Sequence, residues 1–110
     1  MKHLAISLAV LMLMWSGDAK AKKGFYESGN DLFTQCTSKN VAEEMACGGF
    51  ITGVVDTSHL ICPPKTVNRG QLRDIVIKYL KENPQVRHNS GAGLVLASLI
   101  TLFPCPNIIK

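Results

Sequence analysis

Residues 48–64 read GGFITGVVDTSHLICPP, and the fold turns on whether this stretch is helical. Two adjacent glycines open it, Gly53 sits inside it, and Pro63 and Pro64 close it. Each glycine costs a helix interior about 1 kcal/mol relative to alanine. Against that cost stands a helical period. Cys47, Phe50, Ile51, Val54, Ser58 and Ile61 recur in steps of three and four and form one apolar stripe. Asn40 followed by Glu43 has the spacing of a capping box, and Glu44 adds a second acid to the same first turn. The stretch is therefore expected to be a helix that starts near Asn40 and stops by Ile61, because Pro63 disfavours the helical conformation at Cys62. Ala42, Ala46, Gly49 and Gly53 fall on a second line within a narrow sector of the helix. The expectation is that a neighbouring helix crosses there more closely than the usual spacing of about 8–10 Å, which would offset the cost of the glycines.

Three further helices flank this one. A short one over roughly Asp31 to Thr37 follows Gly29, with Asn30 as its cap and Leu32, Phe33 and Cys36 at helical spacing. The third begins at Asn68, whose partner Gln71 completes another cap, and carries Leu72, Ile75, Val76, Tyr79 and Leu80 on one side. Arg69, Arg73, Asp74, Lys78, Lys81 and Glu82 cover its other side, Ile77 lies off the stripe, and Asn83-Pro84 ends it. The fourth runs from about Ser90 to Phe103, with Val95, Leu96, Leu99, Leu102 and Phe103 on one stripe. Leu94, Ala97 and Ile100 extend its apolar surface, so it is read either as the central helix or as an interface. With no strand alternation in view, the fold class is all-α, a small disulfide-stapled bundle of about four helices.

The N-terminus has the layout of a secretory signal peptide. Lys2 and His3 precede an apolar run from Leu4 to Trp15, and Ala19-Lys20-Ala21 fits a small-x-small cleavage site. The run is too short to span a membrane, which takes about 20 residues. Residues 1–21 are read as the cleaved signal and 22–110 as one domain, with no membrane association after cleavage. The chain has 12 basic and 8 acidic residues; cleavage removes Lys2, Lys20 and Asp18 and leaves a net charge of +3. The remaining basic residues are scattered, so nucleic acid is not an expected partner. A domain this small is close to the limit at which an apolar core suffices, and staples are expected.

Four cysteines, Cys36, Cys47, Cys62 and Cys105, supply them. In an exported small domain four cysteines imply two disulfides, with three connectivities open to arithmetic alone. No C-x-x-C pair of a thiol–disulfide catalyst occurs. His59 and Cys62 share a spacing, yet further ligands for a zinc site are missing, so no metal and no cofactor are expected. In an up-down bundle the ends of helices two and four share one end, which pairs Cys62 with Cys105. Cys36 closes helix one and Cys47 lies about two turns into helix two, across a short connection, which pairs Cys36 with Cys47.

Asp56 and His59, three residues apart, have the spacing of an acid–base pair or of a plain surface ion pair; no nucleophile pattern accompanies them. With all four cysteines committed to disulfides, no catalytic residue is assigned and the chain is expected to bind rather than catalyse. Gln85, Arg87, His88 and Asn89 form a polar connection between helices three and four, the candidate partner-binding loop, since an exposed polar loop can enter a groove.

Taken in order, several motifs resemble a known family. They are G-N-D-L-F-x-x-C over Gly29–Cys36, C-G-G-F-I-T-G-V-V-D over Cys47–Asp56, C-P at Cys62, V-N-R-G-Q-L over Val67–Leu72 and K-Y-L-x-x-N-P over Lys78–Pro84. H-x-x-x-A-x-L-V-L-A-S-L over His88–Leu99 and F-P-C over Phe103–Cys105 follow. The sequence resembles the immunity proteins that neutralise type VI secretion peptidoglycan amidases. Phe50, where that pattern has Tyr, and Asn83, where it has His, depart from it. The resemblance implies a small helical periplasmic protein, commonly a homodimer, that binds a cognate amidase effector and blocks its substrate groove. The Cys–His chemistry belongs to the effector. His88 falls on the family pattern and so also has a structural reading. A dimer would be expected to use the apolar surface of helix four or Ile77. The competing expectation is a small periplasmic helical chaperone or stress protein that binds unfolded clients; a lipid- or metal-carrying helical protein is a third.

Overall fold

A computed structural model describes residues 26–106. The expected signal, residues 1–21, lies outside the described residues. Four α-helices make up the described part: α1, Gly29–Thr37; α2, Val41–Thr57; α3, Arg69–Glu82; and α4, Gly91–Ile100, with a 3-10 turn at Pro84–Val86 between the last two.

Each helix begins at a side chain that satisfies first-turn N–H groups left without intrahelical acceptors. Ser28, not Asn30, caps α1: its Oγ accepts from the Asp31 N–H at 3.1 Å while the Asp31 carboxylate accepts the Ser28 N–H at 3.4 Å. Asn40 caps α2, accepting from the Ala42 and Glu43 N–H groups at 2.9 and 3.3 Å. Glu43 and Glu44 sit in its first turn, where the helix dipole favours anions. Asn68 and Gln71 form the reciprocal box on α3, at 2.9 and 2.8 Å. Asn83 closes α3 by donating its side-chain amide to the Tyr79 carbonyl, and Pro84 then prevents continuation. Ser90 caps α4 through the Gly93 N–H.

The core is one cluster to which every helix contributes: Leu32 and Cys36 from α1, Cys47, Ile51 and Val55 from α2, Leu72, Val76 and Leu80 from α3, and Leu94, Val95 and Leu99 from α4. The expected stripe on α3 is the observed one, except that Ile77 is also half-buried against the cluster. On α2 the helix ends at Thr57, with Ser58 as its cap, so Ser58 and Ile61 are not on the helical stripe and Val55 takes the last buried position. Ile61 is buried by a different route, as an antiparallel bridge to Pro104. α4 is shorter than expected and one-sided: Leu102 is 56 % exposed, Gly93 and Ala97 are exposed, and Ser98 is buried with its hydroxyl donating to the Val95 carbonyl.

All six helix pairs are in contact, and the N-terminal caps of α1 and α4 adjoin through a bridge between Ser28 and Ser90. A simple up-down order would set the start of α1 beside the end of α4, so the four helices are instead clustered around a shared centre. The ends of α2 and α4 do meet, and there Cys62 is bonded to Cys105 with their Cα atoms 4.8 Å apart. Cys36 is bonded to Cys47 across the short α1–α2 connection, with Cα atoms 5.0 Å apart.

The small-residue line on α2 behaves differently from its sequence reading. Ala42, Ala46, Gly49 and Gly53 are all exposed, and a Cβ built on Gly49 or Gly53 meets no atom within 4 Å. Among the described residues no helix crosses there. The core contacts of α2 are made by Cys47, Ile51 and Val55 on another face, and these positions decide which face turns inward.

The Cys62–Cys105 bond closes a loop spanning 43 residues, for which the chain-entropy model gives about 4 kcal/mol. Replacing both cysteines by serine is expected to lower the unfolding free energy of the mature protein by that order in urea titrations, with little change in helix content in buffer. A loss under about 1 kcal/mol would mean that the core holds this end closed without the bond.

Candidate partner-binding loop

The connection from Asn83 to Ser90 is built as a series of tight turns. The Val86 N–H donates to the Asn83 carbonyl at 3.2 Å, Arg87 to Pro84 at 3.4 Å, and Asn89 to Val86 at 3.0 Å. The Gln85 side-chain amide donates to the Asn83 side-chain oxygen at 3.2 Å. Pro84 supplies the fixed φ that suits the start of a 3-10 turn.

The loop is also held from outside, by the beginning of α1. The Gly29 N–H donates to the Asn89 carbonyl at 2.8 Å and the Asn30 N–H to the Arg87 carbonyl at 2.7 Å. The Gly91 N–H returns a bond to the Glu27 carbonyl at 2.8 Å. First-turn helix N–H groups have no acceptor inside their own helix, so the loop carbonyls complete the capping that Ser28 begins. The approach is close enough to require glycine. A Cβ on Gly29 would lie 2.8 Å from the Arg87 carbonyl oxygen and 3.0 Å from its Cα, and closer still to Leu94 Cδ1.

Of the four residues proposed from sequence, Gln85, His88 and Asn89 are exposed. Arg87 is not a free cation. It is half-buried, and its guanidinium lies over the Phe33 ring, 4.4 Å from the centroid. A cation–π contact of this kind contributes about 0.5–2 kcal/mol, more as it loses water. The side chain reaches inward because its own carbonyl is already fixed against α1, one turn before Phe33.

Asp56 and His59 do not form the helical pair that their spacing implied. Asp56 is on the last turn of α2, whereas His59 follows the Ser58 cap and is off the helix; both are exposed. Among the described residues no three His, Cys, Asp or Glu side chains converge. Along α1 and the start of α2, a shallow hollow of roughly 300 Å³ is lined by Tyr26, Glu27, Asp31, Thr34, Gln35 and Glu43, with the Gln35 amide donating to Glu27 at 3.4 Å.

Sequence reasoning missed Gly29, Ser28 and Phe33 as parts of this site. The cap pattern at Ser28-x-x-Asp31 is visible in the sequence, but the use of Gly29 as a contact surface depends on a segment far along the chain.

The chain belongs to the Rap1a immunity proteins: the family model of that description matches residues 28–105, most of the chain. No curated protein matches it. The matched span begins at the α1 cap and ends at the last cysteine.

The glycines give a paired test. Gly29→Ala is expected to cost about 1–3 kcal/mol through overpacking against the loop backbone. Gly49→Ala, exposed and without a neighbour, is expected to gain up to about 1 kcal/mol through helix propensity. Thermal melts of dilute protein distinguish them. Equal effects of the two substitutions would contradict this assignment of the loop contact.

Proposed function

We propose that this Rap1a immunity protein acts in the periplasm, where it binds a peptidoglycan amidase delivered by a type VI secretion system and occludes its substrate groove. Its task in this reading is binding, and the wall-cutting chemistry stays with the partner. The observation that carries the proposal is the family match over the whole disulfide-closed unit, residues 28–105. The signal-like N-terminus at residues 1–21 and the two disulfides support an exported, oxidising address. The fixed loop with exposed Gln85, His88 and Asn89 supplies a polar projection suited to a groove.

An inhibitor that holds a lysin at low concentration needs nanomolar affinity, about −12 kcal/mol. A standard interface takes about 800 Å² from each partner. The loop alone is smaller than that, so the flanking α1 surface is included in the contact.

Co-expression tests the reading. A periplasm-directed amidase of the effector class that lyses its host is expected to become harmless when the full-length chain is present, and to stay lethal when residues 2–21 are deleted. With the purified pair, His88→Ala or Gln85→Ala is expected to weaken binding at least about tenfold, about 1.4 kcal/mol, without lowering stability by more than about 0.5 kcal/mol. Protection by none of a broad set of such amidases would overturn the proposal.

The same reading includes a homodimer. Neither Ile77, half-buried in the core cluster, nor the short α4 offers the best surface for it. The exposed side of α2 does: Val41 and Met45 are 68 % and 71 % exposed, and no charged residue occurs from Met45 to Val55. Sedimentation at micromolar concentration is expected to show a dimer that Met45→Glu dissociates. A dimer unchanged by Met45→Glu would place the contact elsewhere.

A further inference from the structure

We propose that the first two turns of α1 act as a mould that presets the loop, with Gly29, Phe33 and Arg87 as positioning residues and Gln85, His88 and Asn89 as the groups presented. For what the loop meets, the inference rests on the immunity reading above; for how the loop is held, it rests on geometry alone.

A connection between two helices that is fixed only at its ends loses backbone freedom when a partner orders it. Here the ordering is already present. Two loop carbonyls, Arg87 and Asn89, accept from consecutive N–H groups of α1, Gly29 and Asn30. The Gly91 N–H ties the far side of the loop to Glu27. Arg87 is gripped twice, through its carbonyl by Asn30 and through its guanidinium by Phe33 at 4.4 Å. His88 lies between the two anchored residues and is itself exposed. With the carbonyls on either side of it engaged by α1, it sits at the crown of a braced turn.

The bracing depends on the absence of a side chain at Gly29, where a Cβ would meet the Arg87 backbone. It also depends on the first turn of α1 having N–H groups free to donate, which is a property of a helix start and of no later turn. The loop's own turns are therefore braced by a part of the chain other than the two helices it joins. Arg87, the most conspicuous charge in the loop, serves the shape and not the contact.

Preorganisation has a kinetic signature. If a variant populates the competent shape only a fraction of the time, apparent affinity falls by that fraction and association carries the loss. Loss of a contact residue acts on dissociation instead, as most interface changes do.

The experiment has two arms, both on the mature disulfide-bonded protein. In the first, NMR-detected amide exchange is measured without any partner. The Gly29, Asn30, Asn89 and Gly91 amides are expected to be protected in the wild type. Arg87→Ala and Phe33→Leu are each expected to speed their exchange at least about tenfold while Val76 and Leu80 in α3 keep their rates, and Arg87→Lys restores part of the protection. In the second arm, the probe is the purified amidase that the wild-type chain neutralises in co-expression. Arg87→Ala is expected to slow association about tenfold with dissociation changed less than about twofold, and His88→Ala is expected to do the reverse. Wild-type amides that exchange like an open loop, no effect of either positioning variant on them, or an Arg87→Ala effect confined to dissociation would each overturn the proposal. If no amidase is neutralised, the immunity reading fails, and the exchange arm still decides whether α1 presets the loop.

Discussion

The first turn of α1 has N–H groups with no acceptors inside the helix, and the way these are satisfied organises one end of the molecule. Ser28 takes the Asp31 N–H, and the carbonyls of Asn89 and Arg87 take those of Gly29 and Asn30. A buried donor left unpaired costs about 1–3 kcal/mol, so the loop cannot leave α1 unless water replaces it at each bond. The same bonds set where α4 begins, because Ser90 is both the bridge partner of Ser28 and the cap of α4. Helix start, loop shape and helix packing at this end are thus one arrangement, and Gly29 is the position at which all three come closest.

The opposite end is closed by other means. The segment after α4 is tied to the one after α2 by backbone bonds from Cys62 to Phe103 and from Cys105 to Leu60, at 2.8 and 3.1 Å, alongside the Cys62–Cys105 disulfide. Between the two ends lies a core of mostly Leu, Val and Ile with the fully enclosed Cys47 among them. Few residues contribute to that core, so a covalent tie at an end far in sequence from its partner adds a meaningful share of a stability of about 5–15 kcal/mol. The Cys36–Cys47 bond does a more local job, fixing the direction in which α2 leaves α1.

Much of this was legible in the sequence where the information is local or covalent. The apolar period of α3 and its Asn68–Gln71 box name that helix and its inward face, and cysteine positions relative to helix ends name the pairing. Legibility failed where identity is compatible with two environments. Ser28 and Asn30 are both good caps, and what decides between them is that Asn30 donates its N–H to a distant carbonyl and is already helical. The line Ala42, Ala46, Gly49, Gly53 is the pattern of a close crossing, yet the pattern says nothing of whether a helix is there to cross. Arg87 reads as an exposed cation in a polar loop, because the aromatic ring that it covers belongs to α1 and the sequence gives no sign that the two meet. Asp56 and His59 have a helical spacing, but α2 ends at Thr57, two residues before His59.

Under the proposed reading, the division of roles within the loop bears on how recognition relates to the fold. Its shape is held by main-chain groups, by one stacked pair and by the Asn83 side chain, to which Gln85 donates, while Gln85, His88 and Asn89 are exposed and outside the core. Surface substitutions away from buried contacts change stability by about 0.5 kcal/mol or less, so these three positions can change in chemistry while the turn that carries them persists. Gly29, Phe33 and Arg87 have no such freedom, since each touches the backbone or ring that gives the turn its form. If the loop meets the partner as proposed, the residues that decide which partner is met are distinct from those that hold the meeting surface in shape. That separation would let specificity vary on a small scaffold with little stability to spare.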